Sequence, residues 1–120
     1  MIVMLLSVAG ALGAVCRLAV DGAVRSRYGS ARYATLLVNV TGSFALGVVT
    51  GLVLFQGAPG AVRTVLGAGF CGGYTTFSTA SVETARLVQE RRLAAAAAHA
   101  VGTLLLTVLA AAGGLAAAHG

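Results

Sequence analysis

The sequence predicts an all-α membrane protein: four transmembrane helices, the third broken in its middle, forming one domain over residues 1–120. Three observations predict this. Of 120 residues, 58% are hydrophobic and 9% charged, whereas a soluble domain carries about a quarter charged residues. The mean hydropathy is +0.95. Inside one hydrophobic segment, the stretch from Gly67 to Glu83 holds four glycines followed by Thr75, Thr76, Ser78, Thr79 and Ser81. Broken backbone at membrane depth is tolerated only where protein buries it or a cavity borders it. Freed carbonyls there bind cations and freed amides face anions, so the stretch marks a place for ion chemistry.

A bilayer-spanning helix needs about 20 mainly apolar residues, and four fit this length with short connectors. The first is expected over 2–20; it lacks a basic leading region, so a cleavable signal peptide is not expected. Arg17 and Asp21 lie four apart near its end, on one helical face. A polar connector with Arg25, Arg27, Tyr28, Gly29 and Arg32 follows. The second helix is expected over 34–55, closed by a turn over 56–60 that contains the only proline. The third is expected over 62–83, interrupted near 72–76. A connector with Arg86, Glu90, Arg91 and Arg92 leads into the fourth, over 93–118.

The formal net charge of +5 comes from eight arginines and no lysine. In a soluble chain that balance suggests nucleic acid. Here the arginines flank membrane segments, so topology explains them and no nucleic-acid partner is expected. Six sit in the connectors between helices 1 and 2 and between helices 3 and 4. The positive-inside rule then puts those connectors in the cytoplasm and both termini outside. Cys16 and Cys71 sit in apolar surroundings and read as small buried hydrophobes rather than a disulfide or metal pair.

Polar residues recur at four-residue spacing within two helices, which places them on one face. Helix 2 has Thr35, Asn39 and Ser43, continued by Gly47 and Gly51. The glycines read as a close-packing seam. Asn39 is a functional candidate, because an amide in hydrocarbon needs partners. Helix 4 has His99, Thr103 and Thr107. Arg17 either snorkels to the headgroups or serves function from within a span. Glu83 ends the broken segment as an interfacial carboxylate or an electrostatic element at a pore mouth. There is no Ser-His-Asp set, carboxylate pair, metal-ligand cluster or phosphate loop, so an enzyme is not expected. Four helices are too few to enclose a transport path, so an oligomer is.

Three motifs, in order and spanning nearly the whole chain, resemble the CrcB/Fluc fluoride channels of bacterial membranes. They are Gly10-Ala-Leu-Gly13-Ala-Val-Cys-Arg17, Ala34-Thr35-Leu-Leu-Val-Asn39-Val-Thr-Gly42-Ser-Phe44-Ala-Leu-Gly47 and Gly69-Phe-Cys-Gly72-Gly73-Tyr-Thr75-Thr76-Phe77-Ser78-Thr79. The resemblance implies an antiparallel, inverted-topology dimer in the cell membrane with two fluoride pores. It implies a structural, non-transported sodium ion at the interface, held by backbone carbonyls of Gly72 and Thr75. Asn39 would line the pore as an amide donor and Phe77 as a phenyl ring, together with Thr35, Ser78 and Thr79. Thr103 and Thr107 would form a hydroxyl track, with His99 beside it. Arg17 would serve a vestibule or interface, where Glu83 and His99 are also expected. The family's usual second phenylalanine falls at Ala80, which raises a pairing with a homologous subunit of opposite topology. Two rivals stand beside this reading. A small multidrug-type four-helix transporter needs a membrane-embedded carboxylate, and Asp21, Glu83 and Glu90 lie near helix ends. A non-transporting membrane assembly subunit would account for the glycines but not for Asn39.

Overall fold

The computed structural model describes residues 1–29 and 31–119, leaving the side chain of residue 31 aside. Its described residues form helices and no strand. Helix α1 spans Ile2–Tyr28 and α2 spans Ala31–Phe55. Helix α3 covers 60–74, and its stretch Arg63–Cys71 is π-helical. Thr75 and Thr76 are extended, with φ, ψ of −80°, 160° and −146°, 108°. Helix α4 spans Phe77–Gln89 and α5 spans Leu93–His119.

Among the described residues, three helices are long and apolar enough to cross a membrane: Ile2–Tyr28, Arg32–Phe55 and Leu93–His119. The chain is a multi-pass membrane protein. Large apolar side chains point outward along α1 (Leu5, Val8, Leu12, Val15 and Leu18) and along α5 (Leu104, Leu105, Val108 and Leu109). In water such surfaces would drive aggregation; in a bilayer they face solvent of their own kind.

The helices run past the apolar segments that mark them in the sequence. Helix α1 continues eight residues beyond 20, through a polar turn, to a left-handed cap at Gly29 (φ 70°) whose N–H donates to the Arg25 carbonyl. Asp21 pairs with Arg25, at 3.0 Å, and not with Arg17. Both arginines stand four residues from Asp21. An acidic residue N-terminal to its basic partner is the better helical orientation, and only Arg25 satisfies it.

Without hydrophobic drive between helices in lipid, packing depends on small residues that let backbones approach. The core fits that demand: Ala9, Ala34, Ala80 and Ala96 are buried, and Val38 is the one large side chain fully so among the described residues. Two glycine seams carry the closest contacts. A Cβ at Gly47 would strike the Ala111 carbonyl, and one at Gly114 the Phe44 carbonyl, so α2 and α5 meet backbone to backbone. A Cβ at Gly13 would strike the Phe70 carbonyl and one at Gly73 the Gly10 carbonyl, joining α1 to α3 in the same way. The pairing of 47 with 111 and 51 with 115 and 118 makes α2 and α5 parallel. Their N-termini therefore share one end of the molecule, and both arginine-rich connectors lie there.

The C-terminal end of the same seam is tied off by polar contacts. Gln56 Nε2 donates to the Ala118 carbonyl at 2.9 Å, and His119 packs edge-on to Phe55 at 4.7 Å.

The seams generate a prediction. Gly114→Ala, which must push two backbones apart, is expected to destabilise the chain by about 3 kcal/mol, the upper end for overpacking. Gly102→Ala, which meets nothing within 4 Å, is expected to be neutral or slightly stabilising. Thermal unfolding of the two variants in one detergent checks the contrast.

Candidate functional site

The site is built around the two extended residues between α3 and α4. An interrupted helix leaves backbone N–H and C=O groups without helical partners, and burial makes each expensive. Asn39, buried on α2, answers both at once. Its Nδ2 donates to the Thr76 carbonyl at 3.0 Å, and its Oδ1 accepts from the Thr76 N–H at 2.8 Å. This reciprocal pair fixes the amide orientation, since only the oxygen can accept from N–H. One N–H of the Asn39 amide remains for another acceptor.

Thr76 also starts α4. Its Oγ1 accepts from the Thr79 N–H at 3.2 Å, an N-cap bond, and donates to Thr79 Oγ1 at 3.0 Å. Such a cap contributes about 1 kcal/mol. The preceding residue is held from the other side: the Thr75 N–H and Oγ1 both donate to the Cys71 carbonyl at 2.9 Å. Tyr74 closes the arrangement, with its hydroxyl 2.9 Å from Thr41 Oγ1 on α2.

These bonds divert two donors. In an unbroken helix the Thr76 N–H would serve the Gly72 carbonyl and the Thr79 N–H the Thr75 carbonyl. Both are spent elsewhere, on Asn39 and on the Thr76 side chain. The carbonyls of Gly72 and Thr75 are thereby released from those helical bonds, at residues that border an open groove.

That groove, about 1060 Å³ in volume, runs between α2, α3, α4 and α5. It brings together Asn39, Gly72, Thr75, Phe77, Thr103 and Thr107 from the residues singled out in the sequence, with Ala80 on its wall. Phe77 is 87% exposed, an unusual position for a phenyl ring on a helix in a packed bundle. Thr107 Oγ1 donates to the Thr103 carbonyl at 2.7 Å, so its proton is used within its own helix. Thr103 Oγ1 is buried with no hydrogen-bond partner among the described residues, so its proton is unused.

Other sequence-predicted residues lie off the groove wall. Thr35 is buried one turn before Asn39, and Ser78 and Thr79 belong to the cap cluster around Thr76. Arg17, Glu83 and His99 are buried in part or in full. Arg17 Nε, both Glu83 carboxylate oxygens and His99 Nε2 have no partner among the described residues. Glu83 is 9% exposed, so it is not the water-facing carboxylate its position near a helix end suggests.

The sequence reading missed Thr76 as a site residue, although it supplies every backbone group that Asn39 binds. A signal was present: Thr76 directly precedes a helical run and stands three residues before Thr79, which is N-cap spacing. No sequence signal points to the bond between Thr41 and Tyr74.

The clamp yields a prediction. Asn39→Ala strips both partners from a buried peptide group, at about 1–3 kcal/mol for each. A loss of roughly 2–6 kcal/mol is expected, read by thermal unfolding in detergent. Asn39→Asp keeps the acceptor for the Thr76 N–H but turns a carboxylate toward the Thr76 carbonyl, so it is expected to rescue less than half of that loss.

The family model described as CrcB-like protein, Camphor Resistance (CrcB), matches residues 4–115. A protein of Leifsonia xyli subsp. xyli named fluoride-specific ion channel FluC 1 is 51% identical over 116 residues, covering 96% of this chain and 85% of the relative. A protein of Cutibacterium acnes named fluoride-specific ion channel FluC 2 is 46% identical over 110 residues, covering 90% and 89%. A FluC 2 of the same description from Haloarcula marismortui is 45% identical over 100 residues, covering 83% and 79%.

Proposed function

The chain belongs to the CrcB-like protein family, and from that membership and the groove we propose that it is a fluoride-selective ion channel of the cell membrane. It lets fluoride, trapped in the cytoplasm after entry as the neutral acid, leave passively down its gradient. The observation that carries this reading is the convergence of Asn39, Phe77 and Thr103 on one groove beside the extended residues Thr75 and Thr76.

Fluoride is small and strongly hydrated, so a path through hydrocarbon must replace its water with donors. The second N–H of Asn39 and the unused proton of Thr103 are such donors. The edge of the exposed Phe77 ring carries partial positive charge and suits an anion. Thr107, whose proton is committed, is assigned to the wall rather than to fluoride.

The finer architecture belongs to the same reading. The segment from α3 to α4 acts as a broken third membrane span. Two chains associate antiparallel, closing the groove of each into a pore. A sodium ion at their interface is held by the Gly72 and Thr75 carbonyls; both have lost their usual helical donors, and hard cations take oxygen ligands. Gly72 supports this position: a Cβ there meets nothing within 4 Å in the single chain, so its own packing does not explain a glycine. Arg17 and Glu83 stand at the vestibule or interface. Ala80, where the resemblance expects a second ring, favours a homologous partner of opposite topology that supplies the aromatic.

Glu83 is the specific observation on the side of a small multidrug-type transporter, because a buried carboxylate is what proton coupling needs. The family matches weigh against that reading.

Efflux from liposomes, followed with a fluoride electrode, separates the readings. Passive fluoride release that is indifferent to a proton gradient and far exceeds chloride release is expected. Proton-driven exchange with no fluoride leak would favour the transporter. Phe77→Ala is expected to lower fluoride release about tenfold or more, with the elution profile of the protein unchanged. Gly72→Ala is expected to shift dimer toward monomer without lowering the stability of the chain itself. Full fluoride release from this chain expressed alone would remove the case for a second kind of subunit.

A further inference from the structure

One end of the molecule carries a charge pattern that the groove does not use. Arg25, Arg27, Arg32, Arg86, Arg91 and Arg92 all stand in or beside the two connectors that share this end. Asp21 and Glu90 are the acids there, and Asp21 is occupied by Arg25. Arg86, Arg91 and Arg92 are exposed, and no ion pair holds any of them among the described residues. Helices α2 and α5 both begin here with no acidic residue in their first turns. Their N-terminal dipoles therefore add positive potential rather than being neutralised. Tyr28 and Tyr33, on either side of the first connector, stack at 5.7 Å, with the Arg27 guanidinium 6.0 Å from the Tyr28 ring. Tyrosines of this kind sit at the headgroup level of a bilayer.

The turn between α4 and α5 supplies the deciding detail. Arg91 has φ of 60°, the one non-glycine residue with positive φ among the described residues. The Arg91 N–H donates to the Val88 carbonyl and the Arg92 N–H to the Leu87 carbonyl, the bond pattern of a helix end that favours glycine at this position. A left-handed arginine is strained, and the same turn would close more easily on glycine. Strain held at an exposed charged side chain with no ion pair among the described residues points to a use for that side chain.

We propose that the Arg86, Arg91 and Arg92 turn, flanked by the arginines of the first connector, binds the phosphates of anionic phospholipids such as phosphatidylglycerol. Guanidinium groups match phosphate oxygens in bidentate geometry, which suits them to this ligand better than to a diffuse surface potential. The site lies at the opposite end of α2 and α5 from the Gln56 and His119 contacts, and it does not depend on what passes through the groove.

Native mass spectrometry of the full chain in detergent, titrated with short-chain phosphatidylglycerol or phosphatidylcholine, tests this directly. Detergent micelles remove insertion direction from the result. Phosphatidylglycerol is expected to bind at least tenfold more tightly than phosphatidylcholine, with the preference shrinking as salt rises. Each arginine near an anionic headgroup changes binding about fivefold, so R86Q/R91Q/R92Q is expected to lose about a hundredfold. R91G relieves the strained turn and so keeps the fold; it is expected to bind phosphatidylglycerol about fivefold more weakly while melting at the same or a higher temperature. Equal binding of the two lipids, undiminished binding by either variant, or displacement of the lipid by equimolar inorganic phosphate would overturn the proposal.

Discussion

The two hydrogen bonds between Asn39 and Thr76 are the constraint on which the rest of the site depends. A chain that stops being helical within a membrane leaves peptide groups that water cannot reach. Each must be answered from inside the protein. The carboxamide of asparagine is shaped for this, because it presents a donor and an acceptor side by side, as a peptide group does. Its bonds hold Thr76 extended, and that conformation releases the carbonyls of Gly72 and Thr75, turns Phe77 outward and sets the start of α4. Glycine serves the same end. On α2 itself, a Cβ at Gly42 would strike the Thr75 side chain, so glycine there lets α2 lie close enough to the interrupted segment for a side chain as short as asparagine to reach it.

Much of this was legible in the sequence, for physical reasons that also explain what was not. The apolar segments located the helices because hydrocarbon thickness fixes how many apolar residues a span needs. The same signal misplaced the end of α1. Hydropathy reports where the bilayer stops, whereas the helix continues through interfacial Asp21 and Arg25 to the cap at Gly29. Asn39 stood out because an amide in an apolar helix has a cost that demands an explanation, but its partner could not be read. The Thr76 peptide lies 37 residues away, and a backbone group leaves no mark in a sequence. For Arg17 and Asp21 the spacing was informative and the choice of partner was not. Two arginines offered the same separation, and only helix direction distinguishes them.

The groups without partners form a pattern of their own. Arg17 Nε on α1, the Glu83 carboxylate on α4, and His99 Nε2 and Thr103 Oγ1 on α5 are buried and unmatched among the described residues. At the interrupted segment, by contrast, the Thr76 peptide group finds both its partners within the chain. Natural proteins leave few buried polar atoms unsatisfied, and the exceptions concentrate where a ligand, an ion or another chain is to be met. Counted outward from the turn at 90–92, Glu83 stands at about the height of His99, and Ala80 at about that of Thr103. The unmatched groups of α4 and α5 thus fall on neighbouring levels of one helical hairpin, beside the groove rather than scattered over the lipid-facing surface.

That distribution bears on how a chain of this size can make a pore at all. The outward sides of α1 and α5 are lined by large apolar side chains. The groove side is the reverse: a phenyl ring 87% exposed, a glycine with open space before it, and hydroxyls and carbonyls released from helical bonds. Hydrocarbon is a poor partner for the polar part of that inventory, since each released carbonyl or unmatched hydroxyl facing lipid is costly. In the proposed dimer, a second chain laid against the same face would remove the cost, and an antiparallel arrangement would set one broken segment beside another. On that proposal, the groups that a lone chain would leave facing lipid are the groups an ion path requires, and association and permeation would both follow from one interrupted helix.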